Sequence, residues 1–319
     1  MHETTVSSVG DSILDAARSF GDSLPSRRFF ARASRFAKHA DVPLLLLGES
    51  GSGKTQLARW IHGASPRAGM PFHSISLAAL DDALSGSELF GHVGGAFTDA
   101  KAARKGAFAT AHGGTLFLDE IGKASIAVQS RLLTSIEDRT IRPVGADRAF
   151  ATDVRLVFAT NVSLESLVGS GAFLADLVPR ISRFVLRVPA LRERIEDVPA
   201  LAQSMLARHA SRFGYEAPPE IDETLIKALQ SHHWPGNLRE LDTVIQSILI
   251  EADGAQRLEA RHLQRDDPML TLPMGGARSV SAEQVAHACR TSPSREVAAR
   301  QLGVSSATLY RRLRQLREP

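Results

Sequence analysis

Residues 44–55 read LLLLGESGSGKT. Four consecutive leucines are far too few to cross a membrane, and they suit a strand buried on both faces of a sheet. The next eight residues fit G-x-x-x-x-G-K-[ST], and KTQLARWIHG (54–63) continues them with helical spacing. A strand, a glycine-rich turn and a helix start, in that order, form a cradle for phosphate. The backbone of Gly48, Glu49, Ser50, Gly51, Ser52 and Gly53 closes around the oxygens, and the helix N-terminus adds its positive dipole. Lys54 is placed for the β- and γ-phosphates of a nucleoside triphosphate, and the Thr55 hydroxyl for Mg2+. ATP and Mg2+ are the expected ligands.

Working outward, apolar runs at 42–48, 72–77 (FHSISL), 114–120 (GTLFLDE), 154–161 (VRLVFATN) and 183–189 (RFVLRVP) alternate with helical stretches. One of these is SIAVQSRLLTSIED, where Ile126, Leu132, Leu133 and Ile136 share a face and Ser125 suits the N-cap. The alternation predicts an α/β domain with a mostly parallel sheet. The run LFLDE ends in two acids. Alone, such a strand end is commonly just solvated; some sixty residues after a phosphate loop, Asp119 is the expected Mg2+ holder and Glu120 the group that polarises the attacking water. Asn161, closing FATN, either caps its strand or reads the γ-phosphate.

From 193 to 264 the pattern is helical, with three helices, Pro235 near a first-turn position and Gly254 beyond an end. Residues 265–280 (RDDPMLTLPMGGARSV) have no helical period and form a linker; 281–319 turn helical again. The expected divisions are therefore an α/β ATPase subdomain over 1–192, an all-helical lid over 193–264, the linker over 265–280 and a C-terminal domain over 281–319. The single cysteine, Cys289, excludes an internal disulfide framework and fits a reducing compartment. The first twenty residues lack a basic-then-apolar leader pattern, so a cytoplasmic protein without a membrane partner is expected. Net charge is +3, unevenly spread: residues 281–319 hold seven arginines against three glutamates, which points to a polyanion partner for that segment.

One stretch fits no regular element. GAFTDA (95–100) holds Phe97 and Thr98 between Gly91, Gly94 and Gly95 on one side and Gly106 on the other. By itself this is a surface loop whose Phe tucks into the core. In order and spacing, however, the phosphate loop, ELFGH…GAFTDA, GGTLFLDEI, ATN, VPALRERIEDV and WPGNLREL together resemble the AAA+ domain of bacterial sigma-54-dependent transcriptional activators, and SREVAARQLGVSSATLYRRLRQL resembles their Fis-like helix-turn-helix. The resemblance implies that Phe97 and Thr98 contact sigma-54 in the closed promoter complex and that nucleotide state moves the loop. It implies that Arg239 is the sensor arginine of the lid. It also implies that Arg180 is an arginine finger reaching a neighbouring subunit's nucleotide, in a ring that is usually a hexamer.

Three departures stand out. Leu174 occupies the position of the family's first arginine finger, Ser76 that of the asparagine that tethers the catalytic glutamate, and Asp99 that of a loop glycine. These put in question, respectively, the hydrolysis rate, its coupling to the loop and the geometry of the sigma contact. A ring mixed with a paralogous subunit would supply the missing arginine. No receiver or sensing domain is expected ahead of the ATPase region, so control is expected from elsewhere.

In the tail, Ala298, Ala299 and Leu302 form a packing face, Gly303 the turn, and the second helix, capped by Ser305 or Ser306, enters the major groove of double-stranded DNA. Ser306, Ala307, Thr308 and Arg311 then face bases, while Arg312 and Arg314 meet phosphates. The expected function is an ATP-hydrolysing activator that remodels sigma-54 RNA polymerase holoenzyme. A rival is a DNA-binding regulator whose AAA+ domain serves only assembly; a AAA+ DNA motor is a third reading, against which Phe97 and Thr98 speak.

Overall fold

The leucines at 44–47 form β1 (Leu44–Leu47), and the other four apolar runs supply β2 (Phe72–Ser76), β3 (Thr115–Asp119), β4 (Arg155–Thr160) and β5 (Phe184–Arg187). The computed structural model describes residues 21–80, 82–96 and 102–263. The strands lie in the order β2-β3-β4-β1-β5 and every pairing is parallel. Position in the sheet follows composition: β4 (RLVFAT) is buried throughout, whereas the edge strand β2 (FHSIS) is half-buried at every residue. Because all five strands run the same way, Gly48, Glu120 and Asn161 leave the sheet along one edge, the crevice at which ligands bind in open α/β sheets.

Helices α1 (Leu24–Lys38), α2 (Lys54–Gly63), α3 (Asp82–Phe90) and α4 (Ile126–Asp138) cover the two faces. Alternation sorts the strand residues between them: Phe117 and Val157 face the core with Phe29, Leu57 and Ile61, while Leu118 and Phe158 face the core with Phe90, Phe108 and Leu132. Ser125 does stand at the N-cap of α4, but its side chain makes no capping bond. A fully buried arginine, Arg155, donates to the carbonyls of Phe36 (2.8 Å) and Ala37 (3.1 Å) and so completes the C-terminus of α1. Burial there pulls its guanidinium down to about 10.

The lid contains α5 (Val198–His209), α6 (Glu223–Ser231) and α7 (Asn237–Glu251) around a core of its own that includes Leu201, Leu229, Trp234, Leu241 and Ile248. The all-helical expectation needs amending, because a two-residue parallel bridge, Glu220–Ile221 with Arg257–Leu258, closes this region. Pro235 lies just before the first turn of α7. It precedes Gly236, the N-cap of α7, and the turn is made by Trp234 and Asn237, both non-glycine residues in the left-handed region (φ 51° and 55°). Asp197, buried where the lid begins, accepts bonds from Ser23 N (2.6 Å), Ser23 Oγ (2.8 Å) and Ser26 Oγ (2.5 Å), and so fastens the start of α1 to the lid.

The loop-tip residues Phe97, Thr98 and Asp99, the linker at 265–280 and the C-terminal segment with Ser306, Ala307, Thr308, Arg311, Arg312 and Arg314 lie outside the described residues. Among the described residues, no helix is long and apolar enough to cross a membrane.

Candidate active site

A cleft of about 610 Å³ opens at the C-terminal ends of the strands, between α2 and the lid. It brings together Ser50, Gly51, Gly53, Lys54, Thr55, Asp119, Glu120, Asn161 and Arg239, all expected from the sequence. The phosphate loop takes the shape its glycines allow: Gly51 and Gly53 have φ of 74° and 97°, and Lys54 begins α2. The Lys54 ammonium is largely buried and donates to the carbonyls of Gly48 and Glu49, both at 2.9 Å. Burial pulls its pKa down, while Asp119 and Glu120 push it up. A cation so placed fits an anionic phosphate, which would restore the stabilisation that desolvation removes. Ser52 Oγ, also fully buried, has no protein partner.

Thr55 Oγ1 donates to Asp119 Oδ2 at 3.2 Å, so residues 64 apart in sequence set a hydroxyl and a carboxylate oxygen side by side. Two hard oxygen donors next to a phosphate cradle suit Mg2+, which takes few protein ligands and completes its shell with phosphate and water oxygens. The other Asp119 oxygen accepts from Glu120 N at 2.9 Å, and Glu120 adopts left-handed backbone angles (φ 55°), turning the chain sharply where strand meets cleft.

Several residues take places the sequence did not foretell. Gly48, Glu49 and Ser52 belong to the loop but do not line the cleft. The Glu49 carboxylate is turned away, held by both terminal nitrogens of Arg192 (2.7 and 2.6 Å) and by Asn237 Nδ2 (3.2 Å). The Arg192 guanidinium, foremost, lowers the Glu49 pKa to about 2. Arg239 donates from its guanidinium to Ser50 Oγ at 3.1 Å. The lid adds Met205, Arg208, Leu238 and Asp242 to the cleft wall, with Met205 and Leu238 giving one end an apolar surface.

A pH dependence follows from Glu49. Its folded pKa lies below the ordinary value of 4.5, so its contribution to stability is present above pH 4.5 and lost as pH falls toward 2. Wild type should exceed Glu49→Gln by about 0.5 kcal/mol at pH 7, a small figure because the pair is partly solvated. Urea midpoints at pH 7 and pH 3 should show the gap closing on acidification; a gap of equal size at both would reject the ion pair as its source.

Arg180 is not in the cleft. It precedes β5, at the N-terminal edge of the sheet, where it is paired with Glu137 (2.8 Å) and lines a separate cavity of about 590 Å³ with Arg183. The phosphate loop follows the opposite end of the parallel strand β1, so at least the length of a four-residue strand, about 13 Å, separates the two. Arg180 therefore cannot complete the cleft of its own chain. Leu174 is partly buried against the sheet core, with its N–H donating to Gln129 Oε1 at 2.8 Å. Ser76 sits opposite Asp119 in the β2–β3 register.

The root of the GAFTDA loop is well defined. His92 and Arg104 form an antiparallel bridge (3.0 and 2.9 Å), and the ring of His92 donates from Nε2 to the Ala102 carbonyl (2.9 Å) while Nδ1 accepts from Ser87 Oγ (2.6 Å). Gly91 and Gly106 are in contact here rather than acting as open hinges. A Cβ on Gly106 would lie 2.2 Å from Gly91 N, and one on Gly91 2.8 Å from Gly106 N.

Comparison with known proteins agrees with this geometry. A family described as the sigma-54 interaction domain matches residues 20–187, and one described as the AAA+ ATPase lid domain matches 192–268. The chain is 40% identical over 296 residues to the alginate biosynthesis transcriptional regulatory protein AlgB of Pseudomonas syringae pv. tomato, covering 91% of this chain and 66% of that protein. It is 42% identical over 252 residues to the Nif-specific regulatory protein of Azotobacter vinelandii, covering 78% of this chain and 48% of the relative. The chain thus spans about half to two thirds of the length of these curated relatives. Among solved structures, NtrX from Brucella abortus in complex with ADP superposes with a TM-score of 0.72 at 28% identity, over 93% of this chain and 69% of NtrX; the NtrX complex with ATP gives 0.71 over the same shares. With the phosphate loop, the parallel sheet and the helical lid in place, the chain is an AAA+ α/β protein and belongs to the sigma-54 interaction domain family.

Proposed function

We propose that the chain is a sigma-54-dependent transcriptional activator that binds and hydrolyses ATP in the Lys54 cleft, works as a ring, probes sigma-54 with Phe97 and Thr98, and holds DNA through residues 281–319. The observation that carries the reading is the contact of Thr55 with Asp119 beside the buried Lys54, within a family defined by sigma-54 interaction. Lys54 would exchange its two loop carbonyls for phosphate oxygens, Thr55 and Asp119 would hold Mg2+, and Met205 and Leu238 would offer an apolar surface to the base. A Mg2+ ion held there would supply charge neutralisation to the phosphates. Glu120 orients the attacking water and takes up its proton, with Asn161 alongside. Arg239 reaches the phosphates from the lid, and Arg180 serves the cleft of the next subunit.

In vitro transcription from a sigma-54 promoter is the test: open complexes should form with ATP and fail with a non-hydrolysable analogue. Open complexes formed without hydrolysis would reject the reading. Thr98→Ala and Phe97→Ala should leave ATP turnover within about twofold of wild type, because neither residue belongs to the phosphate loop or the strand-end acids, and abolish stable sigma-54 binding in a pull-down. Loss of both activities together would speak against a dedicated contact loop. The rival reading, in which the AAA+ domain serves assembly without remodelling, is favoured by Leu174 and Ser76; absence of ATP turnover by the purified chain would select it.

A further inference from the structure

The start of α7 carries a side chain whose amide is shared among other elements. Asn237 is fully buried. Its Nδ2 donates to Glu49 Oε2 (3.2 Å) and to the Ser50 carbonyl (3.0 Å), and its Oδ1 accepts from Leu191 N (2.8 Å). The next residue of the helix donates its backbone N–H to the Gly51 carbonyl (3.0 Å), and the one after, Arg239, reaches Ser50 Oγ. Consecutive residues of the lid thus grip consecutive residues of the phosphate loop. The fit leaves no slack, because a Cβ on Gly51 would lie 2.2 Å from the Gly236 carbonyl. Arg192, one residue beyond Leu191, holds the Glu49 carboxylate from the other side.

We propose that Asn237 is a positioning residue that locks the phosphate loop to the lid, with Arg192 and Glu49 as a second arm, so that a nucleotide held by residues 51–55 sets the position of α7 through residues 49–51. The proposal rests on the cleft being a nucleotide site. The chemistry at 237 is narrow: the side chain must give two hydrogens to two acceptors and take one from an N–H, which an amide does and a carboxylate cannot. The backbone there is left-handed, a conformation asparagine and glycine adopt most readily. Glycine at 237 therefore removes the lock while sparing the turn. On this view Glu49 never touches the ligand. It is an internal strut, which is why its carboxylate points out of the cleft.

The test is hydrogen–deuterium exchange of the full chain with and without ADP, together with ADP affinity. In wild type, ADP should slow exchange both in residues 50–57 and in α7. In Asn237→Gly it should slow the first segment only, and the ADP dissociation constant should rise about tenfold, the size of a lost hydrogen bond to a charged group. Arg192→Ala, at an exposed residue, should give a partial loss of the α7 response with about a threefold weaker affinity. A merely structural role would speed α7 exchange in the variants yet leave its slowing by ADP intact, and that result overturns the lock. Should Asn237→Gly fail to fold, Arg192→Ala decides, and an undiminished α7 response there overturns the proposal. If wild type binds no ADP, the nucleotide reading falls and the lock with it; wild-type binding with unchanged variants sinks the lock alone.

Discussion

Lys54→Ala is expected to bind no measurable ATP at concentrations that saturate the wild type. The ammonium is buried at the start of α2 and bonds only the Gly48 and Glu49 carbonyls among the hydrogen bonds it makes in the described structure. Removing it takes away the cation that phosphate oxygens would meet and also the brace that holds two loop carbonyls inward. Charge-assisted bonds of this kind contribute about 1.5–3 kcal/mol each, so losing those to two phosphates weakens binding by about a hundredfold or more. Glu120→Gln should behave differently. The amide keeps the size and the left-handed turn but cannot take a proton, so binding persists and turnover falls by about 10²–10⁴-fold. Titration with a fluorescent ATP analogue and single-turnover hydrolysis separate the two defects. Hydrolysis by Glu120→Gln at the wild-type rate would show that another group takes the proton.

The other large effect concerns the far edge of the sheet. Arg180→Ala should lower kcat by about 10³–10⁵ while leaving ATP affinity near wild type, because the residue lies outside its own cleft and, in the proposed ring, would act on charge that develops in a neighbour's. Turnover per chain should also rise with protein concentration as rings assemble. At Leu174 the same logic predicts a gain. The leucine is partly buried against the core, and an arginine there can lay its stem over that surface while its head reaches solvent. Leu174→Arg is therefore expected to raise the turnover of the homo-oligomer, as would a partner subunit with arginine at that position. Steady-state ATPase assays of both variants and of Arg183→Ala decide. Robust wild-type turnover unchanged by Leu174→Arg would end the mixed-ring idea, and its loss in Arg183→Ala would make Arg183, which shares the Arg180 cavity, the second cation.

The parts of this molecule that the sequence displays are those whose chemistry is local. The five strands are written as apolar runs, and the phosphate loop as a fixed spacing of glycines before Lys54, because each depends on neighbours within a few residues. Asp119 is legible for a weaker reason: acids at the end of a buried strand gain meaning only beside a phosphate loop. What stayed hidden are bonds across long separations. Glu49 meets Arg192 and Asn237 at 143 and 188 residues' distance, so the motif, which assigns its backbone to the phosphate cradle, says nothing of where its side chain is held. Pro235 marked a helix start, and α7 does begin two residues later, but the left-handed turn that Trp234 and Asn237 make around it was not legible. The glycines flanking GAFTDA mark only an irregular stretch in the sequence, whereas two of them are needed for close contact.

That contact between Gly91 and Gly106 bears on how such a protein can diversify. A neck with no room for a methyl group fixes the entry and exit of the segment between, and His92 stitches the two stems just beyond it. Substitutions in the sequence between the two stems are therefore expected to leave the packing of the sheet and helices intact. Changes at the neck itself bear on the whole domain, so alanine at either glycine would spread the stems even though neither residue lines the Lys54 cleft.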